Sequence, residues 1–173
     1  MNVKFPIGQF QCEEEISFAQ VNKWIEEIRV LPAELHNTVE GLDDVQLDTP
    51  YRDGGWTIRQ VVHHVADSHM NAYIRFKLAL TENRPTIKPY DEGLWAELSD
   101  SKLPVAISLK LIEALHTKWA ALLSNLTESD LKKEFIHPDS GVITVERNIG
   151  IYAWHGKHHL AHIQRLLERK GWE

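Results

Sequence analysis

The chain has 173 residues with a formal net charge of -6, 43% hydrophobic and 25% charged. That balance suits one globular domain, residues 1–173, able to bury a single core, and it excludes a disordered chain. Lysine and arginine are scattered, so no basic stripe can neutralise a phosphate backbone, and neither nucleic acid nor membrane is an expected partner.

The single cysteine, Cys12, excludes an intrachain disulfide and a cysteine-rich zinc site. It has no basic neighbour in sequence, so it is not expected to act as a thiolate. No charged start followed by an apolar stretch opens the chain, and a soluble, cytoplasmic protein is expected.

Met1 to Glu15 contain Pro6 and Gly8 without periodicity and read as an extended arm on the surface. From Ile16, apolar residues recur at Phe18, Val21, Trp24, Ile25, Ile28, Leu31, Leu35 and Val39, a helical spacing with Ser17 as cap. Pro32 is expected to bend this helix without ending it. Gly41 to Trp56, dense in Asp, Pro and Gly, reads as a loop. Thr57 and Gln60 then make a capping-box pair that opens a second helix, Ile58 to about Leu80. Its apolar face is Ile58, Val61, Val62, Val65, Ala72, Tyr73, Phe76 and Leu80.

Thr81 to Lys102 is a long connection with one helical turn expected around Leu94 and Trp95. Such a loop between bundle helices is uncommon unless it covers something, so it is read as the wall or lid of a site. Pro104 opens a third helix, Val105 to about Leu126, with Ile107, Leu109, Leu111, Ile112, Leu115, Trp119, Leu122 and Leu123 as its buried face. His116, isolated on that face, reads as a satisfied core histidine. Thr127 and Asp130 cap a short turn, and Glu134 to Thr144 form a hairpin around Pro138-Asp139-Ser140-Gly141. Thr144 caps the last helix, Val145 to Lys170, and Gly171 stops it. The expected architecture is all-α, a four-helix bundle with long connections and a small β-hairpin before the last helix.

The chemistry concentrates in that last helix. At about 100° per residue, His155, His159 and His162 fall within roughly 60° of one another on a face shared with Tyr152 and Leu166, and His158 sits at its edge. Histidines at i, i+4 can point two ring nitrogens at one ion. Two such pairs are present, His155/His159 and His158/His162, so spacing does not choose between them. Each buried neutral imidazole has a donor and an acceptor to satisfy, and four of them so close together favour a shared cation over four separate hydrogen-bonded rings. A third ligand must come from elsewhere. The second helix offers His69 inside the apolar face, His64 at its polar edge, and His63 on the side read as solvent-facing.

Two stretches together resemble the DinB/YfiT superfamily. They are Trp56-Thr57-Ile58-Arg59-Gln60-Val61-Val62-His63-His64-Val65-Ala66-Asp67 and His155-x-x-His158-His159. The YfiT branch looks closest, through Leu47 to Trp56 and Tyr90-Asp91-Glu92. The resemblance implies a four-helix bundle of DinB/YfiT type and one divalent metal per chain held by His64, His155 and His159. Where many members continue with Gln, this chain has His162, which is open as a fourth ligand, a partner of a ligand, or a general base. Asp67 could accept the ring N–H of His64 or be a solvated acid, and Asn148 could orient a substrate or water or be a plain buried amide.

Three neutral imidazoles would leave a tetrahedral Zn²⁺ one open position, the arrangement of a catalytic site, and nickel is also compatible. The resemblance implies a metal-dependent hydrolase acting on a small molecule through a metal-bound water. Two alternatives remain: a zinc-dependent S-transferase using a low-molecular-weight thiol of bacillithiol type, and a non-catalytic metal-stabilised stress-response bundle. The resemblance also implies a homodimer, for which Trp95 or Trp172 of the six tryptophans could serve as interface anchors.

Overall fold

A computed structural model describes residues 4–172. The long helices are α1 (Phe18–Val39), α3 (Ile58–Thr81), α5 (Val105–Leu123) and α7 (Val145–Lys170), with short helical turns α2 (Asp44–Leu47), α4 (Glu92–Ala96) and α6 (Glu128–Leu131) in the connections. A hairpin of β1 (Glu134–His137) and β2 (Gly141–Thr144) precedes α7, with Glu134 opposite Thr144.

The caps read from sequence are formed. Ser17 accepts from the Gln20 amide, and Thr57 and Gln60 make reciprocal bonds at 3.1 and 3.0 Å. Gly171 ends α7 at φ 65°, a conformation glycine adopts at little cost. Pro32 lies inside α1, which runs on for seven residues. The loop over 41–56 contains α2, because Asp43 and Gln46 form a capping box of their own.

Helix α1 packs on α5 and α7, and α3 packs on the same two helices. The first two long helices therefore sit on a diagonal, and α3 packs against α7. One core cluster surrounds Phe76, Trp119 and Phe135; the other surrounds Leu35, Ile58, Ile112 and Ile163. Helix α5 departs from expectation. Its buried face is Ser108, Ile112, His116, Trp119, Ala120 and Leu123, while Ile107 and Leu111 are exposed, so the helix is rotated relative to the most apolar face. It also stops at Leu123 rather than near Leu126.

The expected arm is described from Lys4 onward; its first three residues lie outside the described residues. It lies along α7: the Trp154 indole donates to the Gly8 carbonyl at 3.2 Å, and Phe10 packs on Trp24. Cys12 does have a basic neighbour, Arg147, whose Nη1 is 3.2 Å from Sγ, because the arm runs back across the start of α7. The connection after α3 is tied to the hairpin by the bonds from the Ile136 amide to Pro85 (2.8 Å) and from the Ile87 amide to Ile136 (3.0 Å). No helix among the described residues is long and apolar enough to cross a membrane.

Candidate metal centre

His64 lies two turns into α3, a position set by the cap at Thr57 and braced from outside. Gln60 Nε2 donates to the Ala96 carbonyl at 3.1 Å, and the Arg59 guanidinium grips Asp48 and Asp44 at 2.6 and 2.7 Å. The Trp56 ring, held by the preceding turn, lies 4.5 Å from that of His64. On the facing helix, His155 and His159 stand one turn apart with ring centroids 4.5 Å apart. The His64 ring is 5.3 Å from the first and 4.7 Å from the second. One ligand atom from each of the three lies within 4.8 Å of the others.

Burial drives the His64 imidazole down to about pKa 4, and burial followed by the neighbouring imidazoles holds His155 and His159 well below the usual histidine range. At neutral pH all three offer lone pairs.

A hydrogen-bond chain decides where the His155 lone pair points. Pro32 has no amide hydrogen, so the Ile28 carbonyl lacks its usual i+4 donor in α1. His116 Nδ1–H donates to it instead, at 2.6 Å. A carbonyl can only accept, so the neutral His116 ring must accept at Nε2, taking the proton of His69 Nδ1 at 2.8 Å. His69 Nε2 accepts in turn from His155 Nδ1 at 3.0 Å. The lone pair of His155 is thus on Nε2, which is 3.3 Å from Nε2 of His64.

These features fit a cation. Two nitrogens bonded to one tetrahedral zinc at about 2.05 Å would be about 3.3 Å apart. A second buried nitrogen, Nδ1 of His159, has no hydrogen-bond partner among the described residues. The cluster opens into a cleft of about 400 Å³ walled by Trp56, Arg75, Tyr90, His137, Tyr152 and Trp154. The connection after α3 supplies Tyr90, on which Trp95 packs at 4.4 Å, so Trp95 supports the cleft wall. A larger groove of about 850 Å³ runs between α1 and α5, but its lining includes only one histidine, His36, and no such cluster.

The DinB superfamily profile matches residues 27–163. The chain belongs to the DinB superfamily. Among its DinB relatives, a protein of Oceanobacillus iheyensis named "Putative metal-dependent hydrolase" is 62% identical over 172 residues, covering 99% of this chain and all of the relative. One of the same name from Bacillus cereus is 57% identical over 171 residues, 99% of each chain. The solved structure of YfiT from Bacillus subtilis, described as "a probable metal-dependent hydrolase with an unusual four-helix bundle topology", superposes at TM-score 0.97 with 54% identity and full coverage of both chains. A second four-helix bundle protein, TT2238, matches at TM-score 0.58 and 19% identity over 83% of this chain and 98% of its own, a likeness of fold alone. The protein is thus an all-α bundle of DinB/YfiT type with a two-stranded hairpin.

Within this DinB fold the other candidate residues are distributed as follows. His158 and His162 pair with each other, Nε2 to Nε2 at 3.0 Å; His158 also lines the cleft, whereas the His162 ring packs 4.1 Å from Tyr51 outside it. His63, read as solvent-facing, is buried: Ser108 Oγ lies 2.7 Å from Nδ1 and Nε2–H donates to the Leu103 carbonyl at 2.8 Å, because the start of α5 folds over it. Asp67 makes no hydrogen bond to His64. It is half-buried, and burial with Asp100 nearby raises its carboxyl pKa. Asn148 is buried, its Nδ2 has no partner among the described residues, and it does not line the cleft. The cleft wall also holds Arg75, Tyr90 and His137, three residues outside the site set expected from the sequence. Arg75 lies eleven residues beyond His64, three helical turns on the same face, a spacing visible in the sequence.

Proposed function

We propose that this protein is a metal-dependent hydrolase of a small molecule, with one cation per chain held by His64, His155 and His159. The observation that carries this reading is the convergence of three neutral imidazoles from two facing helices at the floor of an open cleft. Zinc suits an all-imidazole site, and nickel is compatible. When bound, such a cation supplies Lewis acidity at one open position and lowers the pKa of water there toward 7.

The chain's own residues do the rest. The relay from Ile28 through His116 and His69 keeps the His155 proton on Nδ1 and its ring in one orientation. The Trp56 ring packs beside His64 and His159, and the Tyr152 ring beside His155. Burial raises the Tyr90 hydroxyl to about pKa 12 and also raises that of Tyr152, so both stay protonated and can donate to negative charge developing on a substrate. His162, paired with His158, supports an open rather than a closed four-histidine site, which disfavours the non-catalytic bundle.

Metal analysis of purified wild type and His159→Ala tests the ligand set: stoichiometric metal in the first and strong loss in the second are expected, and equal content removes His159. An S-transferase is favoured by one observation, that the cleft's carboxylates, Glu92 and Asp139, are both exposed rather than buried near the histidines as a general base would be. Turnover of ester and amide substrates without added thiol supports the hydrolase, whereas electrophile consumption only with bacillithiol or glutathione supports the transferase. We further propose a cytoplasmic homodimer.

A further inference from the structure

Arg75 is only 9% exposed, yet no carboxylate of the described residues forms an ion pair with it. Its Nη1 donates to the Tyr152 hydroxyl at 3.4 Å and its Nη2 to the Lys88 carbonyl at 3.2 Å, two long bonds to neutral acceptors. A guanidinium carries a permanent charge and five donors, so most of its capacity is unspent. Arg59 makes the contrast within the same helix. At 8% exposure it is gripped by two carboxylates at 2.6 and 2.7 Å, as a structural buried arginine should be.

What surrounds Arg75 is a set of donors in the wall of the cleft. Ser68 lines the same cleft as Tyr90 and Tyr152. His137 Nδ1 accepts from the Asp139 amide at 3.2 Å, which leaves its proton on Nε2. The rim acids Glu92 and Asp139 are exposed and screened by solvent. Tyr152 links the two ends, its hydroxyl on Arg75 and its ring 5.6 Å from that of His155.

We propose that Arg75 anchors an oxyanion of the substrate, a carboxylate or phosphoryl group held by its forked N–H donors beside Tyr90 and Tyr152, with the reacting bond directed toward the three histidines. The substrate class is then an acidic small molecule, and neutral analogues are rejected. This rests on the reading of the three-histidine cleft as the substrate site.

The test uses chelator-treated full-length protein, so that no metal takes the anion itself. Succinate, inorganic phosphate and, as the neutral counterpart, succinamide are titrated into wild type, Arg75→Gln and Arg75→Lys, followed by thermal melts and backbone amide spectra. Succinate or phosphate should raise the wild-type melting temperature while succinamide does not, and whichever anion binds tighter identifies the group. Arg75→Gln should weaken that binding about tenfold or more, and Arg75→Lys less. Free Arg75→Gln should be at least as stable as wild type, since an unpaired buried charge is gone; a purely structural arginine would leave it less stable. Anion affinity unchanged in Arg75→Gln, or wild type that saturates with neither anion, overturns the proposal. Metal content of His159→Ala is read separately, so failure of the cation reading does not masquerade as failure here.

Discussion

His116→Phe removes the start of the chain that orients His155. The phenyl ring fits a site that is 1% exposed, but it leaves two buried groups without partners, the Ile28 carbonyl and the His69 Nδ1–H, at about 1–3 kcal/mol each. Allowing for the lower desolvation cost of phenylalanine, a net loss of about 2–4 kcal/mol is expected by urea titration. Pro32→Ala restores an amide able to donate to Ile28, so the same His116→Phe change in that background should cost about 1–2 kcal/mol less. Zinc affinity, measured by competition with a chromophoric chelator, should fall about 10- to 100-fold in His116→Phe, because the His155 tautomer is no longer imposed. Unchanged zinc affinity would refute the relay. A coupling energy between positions 32 and 116 below about 0.5 kcal/mol would refute the account of Pro32.

Gly156 packs against Leu31: a Cβ there would collide with Leu31 Cδ2 and touch His69 Cε1 at 3.4 Å. Leu31 is 2% exposed and has nowhere to go, so Gly156→Ala should lose about 1–3 kcal/mol and recover part of it with Leu31→Ala; a neutral Gly156→Ala contradicts this packing. The metal-free protein should lose stability as pH falls. Burial lowers the His116 pKa from 6.5 to about 4, so below pH 6.5 the unfolded chain binds more protons than the folded one. His116 alone then removes about 2 kcal/mol by pH 5, a deficit complete only once pH falls through 4. Equal urea midpoints at pH 7 and pH 5 would argue against neutral burial. His162→Ala should keep one metal per chain, since its ring belongs to the His158 pair, and loss of metal by elemental analysis would return it to the ligand set. Light scattering should give twice the chain mass; a monomer rules out the dimer.

Local chemistry made most of the secondary structure legible. Caps at Ser17, Thr57 and Thr144 and the stop at Gly171 are short-range devices, and each determines its own helix end. The histidine stripe on the last helix was equally plain, because i, i+4 spacing is a property of one helix. Spacing could not say which pair faces His64, since His155/His159 and His158/His162 are locally equivalent. That choice belongs to the diagonal packing, which turns α7 so that one pair meets His64 across from α3 while the other closes on itself. The same limit explains His63 and the misjudged face of α5: apolar periodicity marks a stripe but not the polar groups a neighbour will satisfy, and Ser108 and Leu103 cover His63 only once α5 is docked. The missing amide of Pro32 is written in the sequence, but its link to His155 spans all four long helices and exists only in the folded chain.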